Sequence, residues 1–177
     1  MDGEIVLYIA VSVDGYIASE DGGVEWLEEF ESAPENEHGG YEAFFESVDA
    51  LVMGATTYEQ VRSFGEWPYE DRPTYVLTRR DHPPGPEGVQ FVDDEVTALA
   101  ARETAKHDRI WLVGGATVAR AFLRAGLVDE LRLSIVPRLL GSGISLFGDD
   151  GAAMRLKLIE STTAENGILE LRYAVGG

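Results

Sequence analysis

The sequence predicts an α/β fold: a mostly parallel central sheet with helices on both faces, finished by antiparallel strands at its C-terminal end. Three observations predict it. Up to residue 126, short apolar runs rich in β-branched residues alternate with segments of helical spacing, the pattern of parallel strands joined by crossover helices. Beyond residue 128 the pattern changes to longer segments that alternate polar with apolar residues, as strands with one wet face do. The last two of these segments flank Glu165-Asn166-Gly167, a hairpin turn signal.

Taken in order, "EIVLYIAVSV" (4–13) reads as a buried strand ending at the turn signal Asp14-Gly15. Residues 18–40 are acidic and Gly-rich, with Trp26, Leu27 and Phe30 as the large apolar anchors, and predict a long surface loop with one helical turn. Loops of that length in a compact domain are usually functional. Residues 41–48 have helical spacing, with Phe44, Phe45 and Val48 on one face. Strand "ALVMG" (50–54) follows, and Thr56 or Thr57 is placed to cap the next helix. "TYVLT" (74–78) and 89–92 are further strands, separated by a Pro/Gly-rich loop. Residues 95–107 form an Ala-rich helix, "RIWLVGG" (109–115) a buried strand, and 116–125 a helix stopped by Gly126. The alternating strands are 129–137, 155–163 and 168–175. With 177 residues and no internal repeat or linker, one domain spanning 1–177 is expected.

Composition narrows the function classes. There is no cysteine, which excludes disulfides, iron–sulfur clusters and thiolate metal sites, and His38, His82 and His107 stand in no metal-ligand spacing, so no metal is expected. The longest apolar run is too short to span a bilayer and no signal peptide precedes it, so a cytoplasmic location is expected. The net charge is -18, and no Lys or Arg occurs before Arg62. Such an acidic surface repels nucleic acid and anionic membranes, leaving a small molecule as the expected partner. The acidity itself reads either as adaptation to a high-salt cytoplasm or, with twelve of fourteen cations being Arg, beside the bias of a GC-rich genome.

Four places carry candidate chemistry. In "IWLVGGATVARAFLRAG" a buried strand runs through Gly114-Gly115 directly into a helix. A backbone without Cβ lets a ligand approach, and the helix start offers free N–H groups and partial positive charge to a pyrophosphate. The same glycines also suit a tight turn with no ligand. In "LVMGATTYEQV", Gly54 precedes Thr56 and Thr57, which either hold phosphate oxygens or cap a helix. "TYVLTRR" ends a strand in Thr78-Arg79-Arg80, suited to a phosphate monoester or to salt bridges with the plentiful carboxylates. Finally, "AVSVDGYIA" puts Asp14 at a strand's carboxyl end, where open α/β sheets bind ligands, although Asp-Gly is equally an ordinary turn.

The succession V-S-V-D-G-Y-I-A, W-L, M-G-x-T-T-Y-E, V-L-T-R, V-G-G-A and "VDELRLSIVPRLLGSGISLF" resembles the dihydrofolate reductase superfamily, and most closely its branch with the reductase domain of riboflavin biosynthesis. The resemblance runs from about residue 4 to 175. It implies the three-layer fold of dihydrofolate reductase, NADPH as hydride donor (NADH less so), and a homodimer contact near the last strands. By motif, Gly114, Gly115, Ala116 and Thr117 would hold the pyrophosphate, with room for a cis Gly114–Gly115 bond. Gly54, Thr56 and Thr57 would lie against the adenosine side and phosphates, and Thr78, Arg79 and Arg80 near the 2′-phosphate. Ser12, Asp14 and Gly15 would stand beside nicotinamide and substrate, with Trp26 on the substrate.

Two departures stand out. Ala55 occupies the place where dihydrofolate reductases usually carry Arg, and "WLEEFE" lacks the proline of the pteridine-binding segment, offering Glu28, Glu29 and Glu31 without deciding among them. A riboflavin-type deaminase half is absent, since its zinc ligands include cysteine. The expected function is an NAD(P)H-dependent reductase acting on a C=N or C=O bond of a small polar heterocycle, a pterin or a ribosylaminopyrimidine-like molecule. Asp14 is the first candidate acid, then Glu28 and Glu31. The alternative is a non-catalytic NADP-binding or sensor module of the same fold.

Overall fold

The structure, a computed structural model, describes residues 2–31, 40–69, 71–149, 151 and 153–176. Its elements in order are β1 (Glu4–Ser12), β2 (Tyr16–Ala18), a 3-10 turn (Glu25–Leu27), α1 (Glu28–Glu31), α2 (Gly40–Ser47), β3 (Ala50–Gly54) and α3 (Ala55–Ser63). Then come β4 (Thr74–Leu77), β5 (Val89–Val92), α4 (Val96–Thr104), β6 (Arg109–Gly114), α5 (Ala116–Arg124), β7 (Glu130–Val136), β8 (Ile144–Ser145), β9 (Leu156–Thr163) and β10 (Leu169–Val175).

Eight strands form one sheet in the order β5-β4-β3-β6-β1-β7-β10-β9. The first six in that order are parallel, and β10 runs antiparallel to both β7 and β9. The predicted fold class, mostly parallel with C-terminal antiparallel strands, is the one observed. Alternation along β1 explains the three layers. Ile5, Leu7 and Val11 pack under α4 and α5 with Leu99, Ala119 and Phe122, while Val6 and Tyr8 pack under α2 and α3 with Phe44, Tyr58 and Trp111. A strand buried on both faces has no polar side to show, which is why β1 and β3 read as unbroken apolar runs.

One sequence expectation changes, and two short strands are added. Thr56 and Thr57 cap nothing: Gly54 is the N-cap of α3, no side chain caps it, and both threonines stand inside the first turn. β2 and β8, which pair with each other, were too short to show a period. Of the loop expected at 18–40, the turn and α1 supply the helical part, and 32–39 lie outside the described residues. Among the described residues no helix is long and apolar enough to cross a membrane.

Candidate active site

The parallel strands β3 and β6 lie side by side, so the turns at their carboxyl ends meet. Each turn leads straight into a nine-residue helix whose N-cap is a glycine with no capping side chain, Gly54 for α3 and Gly115 for α5. First-turn N–H groups have no partner within their own helix, so two uncapped N-termini concentrate donors and positive dipole on one spot. The approach is close: a methyl group placed on Gly54 would stand 2.9 Å from Val118 Cγ2, and one on Gly115 would stand 3.3 Å from Thr57 Oγ1. Gly114 has φ +134, a conformation that side chains resist, and its bond to Gly115 is cis.

These turns form one wall of a cleft of about 470 Å³, a size typical of small-molecule sites. Gly54, Thr56, Thr57, Gly114, Gly115, Ala116 and Thr117 all line it, as does Ala55. Ile9, Ala10, Ile17, Leu77 and Val113 supply an apolar floor, and Val24 and Leu27 also line the cleft. The residues fit a dinucleotide: free N–H groups and hydroxyls where a pyrophosphate needs donors, and an apolar surface beside them for a ring.

Sequence reasoning missed Gln60, which lines the cleft and donates from Nε2 to the Gly22 carbonyl at 2.9 Å, tying α3 to the 20–24 loop. Its signal was the i, i+4 spacing from Thr56, which puts both on one helix face.

Thr78, Arg79 and Arg80 sit at the end of β4, beyond Leu77, and are not among the residues that line the cleft. Thr78 Oγ1 accepts from the Arg80 backbone N–H and shares a hydrogen bond with His82 Nε2, each at 3.1 Å. Arg80 pairs with Glu59 at 3.5 Å, an exposed contact, and Arg79 is exposed.

The substrate and acid candidates fall elsewhere. Ser12 is buried, donates to Asp14 Oδ1 at 2.6 Å and accepts from the Tyr16 N–H at 3.0 Å. Asp14 also accepts from the backbone N–H of Gly141 at 2.8 Å and of Leu140 at 3.1 Å. The Ser12 hydroxyl first, and then these two N–H groups, hold its carboxyl below the usual range. Neither Asp14, Ser12 nor Gly15 lines the cleft. In this geometry Asp14 latches the end of β1 to the loop after β7. Trp26 is buried and does not line the cleft, and its Nε1 has no hydrogen-bond partner among the described residues. Glu28 is exposed on α1 and does not line the cleft; the side chains of Glu29 and Glu31 lie outside the described residues. Among the described residues no cluster of potential metal ligands occurs.

A mostly parallel sheet with one late antiparallel strand, and a cleft between two glycine-led helix starts, define the dihydrofolate reductase-like class. Within it, the chain belongs to the RibD C-terminal domain family, whose model matches residues 4–169. The Bacillus subtilis protein YwjB is 39% identical over 160 residues, covering 89% of this chain and 90% of that protein. A crystal structure of a putative riboflavin biosynthesis protein from Shewanella superposes with a TM-score of 0.86 at 31% identity, covering all of both chains. Dihydrofolate reductase from Enterococcus faecalis, solved with NADP(H), superposes at a TM-score of 0.67 and 18% identity over 100% of this chain and 99% of that one, a likeness of fold.

Proposed function

We propose that this protein is an NAD(P)H-dependent reductase of a C=N or C=O bond in a small polar heterocycle, a pterin or a ribosylaminopyrimidine-like molecule. The observation that carries this reading is the convergence of two uncapped helix N-termini on an apolar-floored cleft, with glycine at both points of closest approach. That NADP(H) accompanies the dihydrofolate reductase of the same fold supports it. When bound, the nicotinamide supplies the hydride. The chain's own part is positioning: N–H groups at 115–117 and hydroxyls of Thr57 and Thr117 take the pyrophosphate, Arg79, two residues beyond the end of β4, takes a 2′-phosphate, and Ile9, Ala10 and Val113 keep water from the ring face. Asp14 and Ser12 hold the β1 end that carries this floor.

A second reading, a dinucleotide-binding module without turnover, has an observation of its own. The described cleft lining has hydroxyls and one amide but no carboxylate or imidazole, so it offers no ordinary general acid. A screen of NADPH oxidation against dihydrofolate, dihydrobiopterin, aminopyrimidine ribosides and simple carbonyls separates the two. Turnover of any supports the reductase; tight NADPH binding with no turnover of all supports the module. The apolar, exposed outer strand β9, with Leu156, Leu158 and Ile159, supports a homodimer as the working form.

A further inference from the structure

On the sheet face under α2, the side chains beyond β1 turn polar. Tyr8, Arg132, Arg172 and Glu160 form one row in register across β1, β7, β10 and β9, and Ser134, Glu170 and Thr162 form the next. Between this floor and the Phe44 side of α2 lies a second cavity, of about 340 Å³, which shares no lining residue with the cofactor cleft.

Its arginines differ in how their charge is met. Arg109 pairs with Glu4 and Glu130, at 3.0 and 3.1 Å. Arg172 pairs with Glu130 and Glu160, at 2.7 and 3.1 Å. Arg132 forms no hydrogen bond or ion pair among the described residues, and its Nε is buried without a partner. Its guanidinium stacks on Tyr8 and Phe44, 4.8 and 4.9 Å from the ring centroids, which fixes its plane, and among the described residues no hydrogen bond takes its donors. Glu130 and Glu170 attract it through space, but a half-buried cation with no hydrogen-bonded carboxylate among the described residues is costly in a chain of net charge -18, where carboxylates abound. Beside it, Glu170 accepts from Ser134 Oγ at 2.5 Å and from the Tyr8 hydroxyl at 3.3 Å. A carboxylate has about four acceptor positions, so Glu170 can take a further donor.

We propose that this cavity is a second small-molecule site. It takes a compact molecule with an oxyanion, carboxylate or phosphate, on the fork of Arg132 and an N–H or O–H donor on Glu170, with Thr162 at the rim. Arginine's planar fork suits both oxyanions. Because the site shares no lining residue with the cleft, it does not depend on the reductase reading.

The test is a calorimetric titration of the full chain, saturated with NADPH or not, with 4-aminobenzoate, phenyl phosphate and neutral benzamide. Binding of one or both acids but not of benzamide is expected, and the tighter acid tells carboxylate from phosphate. Arg132→Gln should weaken it about tenfold or more, the effect of a lost charge-assisted contact. Thr162→Val, on the exposed outer strand, and Glu170→Gln should weaken it less while leaving the melting temperature near that of the parent. Absence of acid binding at millimolar concentration, equal affinity for benzamide, or displacement of the acid by NADPH overturns the proposal. So does unchanged affinity in folded Arg132→Gln or, should that variant not fold, in both of the others.

Discussion

Replacing Gly115 by alanine separates a ligand-binding turn from a structural one, because the fold itself should hardly notice the change. Gly115 has φ -81, which alanine adopts freely, and the nearest atom to the new methyl is Thr57 Oγ1 at 3.3 Å, which must give by a few tenths of an ångström. A Gly→Ala change at a compatible φ contributes about 0.4–1 kcal/mol through the unfolded chain, offsetting such crowding. A net change within about 1 kcal/mol moves Tm by roughly 2–4 °C in a chain of this size. The neighbouring glycines give no such clean result: Gly114 at φ +134 would be strained, and a methyl on Gly54 would meet Val118 at 2.9 Å. The methyl on Gly115 stands between the two helix starts, where the pyrophosphate is proposed to lie. Losing one charged hydrogen bond there costs about 1.5–3 kcal/mol, or roughly 10- to 150-fold in NADPH affinity. Calorimetry of NADPH binding beside a thermal melt reads both quantities. Parent-like affinity in a folded Gly115→Ala protein would refute the pyrophosphate assignment.

Other variants probe the remaining roles. Arg79→Ala should lower NADPH affinity by about 1.5–3 kcal/mol and leave NADH nearly untouched, and an equal loss for both in parallel titrations would move Arg79 away from the 2′-phosphate. Asp14→Asn should lower Tm while single-turnover hydride transfer stays near the parent rate; a fall of about 10²–10⁴-fold would restore the general acid. The folded pKa of Asp14 lies below its unfolded value, so its stabilisation is present above about pH 3.9 and fades as pH falls through the folded pKa. Acid melts of Asp14→Asn should accordingly converge on the parent below that range. Leu158→Glu should shift a dimer to monomer in light scattering, and a parent that is monomeric at high concentration would count against the β9 contact.

Strands β1 and β3 to β7, and helices α2 to α5, were legible because their signals are local: an apolar run has the period of its own element. The last two strands, β9 and β10, were legible for the same reason, through alternation and the turn at Asn166. The lining of the cleft was legible because glycines and threonines sit at strand ends within a few residues of each other. The hydrogen bonds of Asp14 to Leu140 and Gly141 were not, since these lie on a loop with no local tie to it. Gln60 hid among polar helix residues. The Tyr8–Ser134–Glu170 network joins three strands whose alternation marks each residue only as polar or apolar, and says nothing of what meets across strands.

The first strand has consequences for how the protein comes into being. β1 emerges early, yet its two neighbours in the sheet are β6 and β7, with Glu4 beside Arg109 and Val6 beside Glu130. At synthesis rates of about 5–20 residues per second, this doubly apolar segment waits on the order of 5–20 s before either neighbour exists. The cleft is subject to the same delay, because the Gly54 turn finds the Gly115 turn only once β6 has taken its place between β3 and β1. A nascent chain that stops short of β6 therefore has no half-site to offer a nucleotide. Ligand capture can assist only the last stage of folding, and the cell must shield the earliest strand by other means until then.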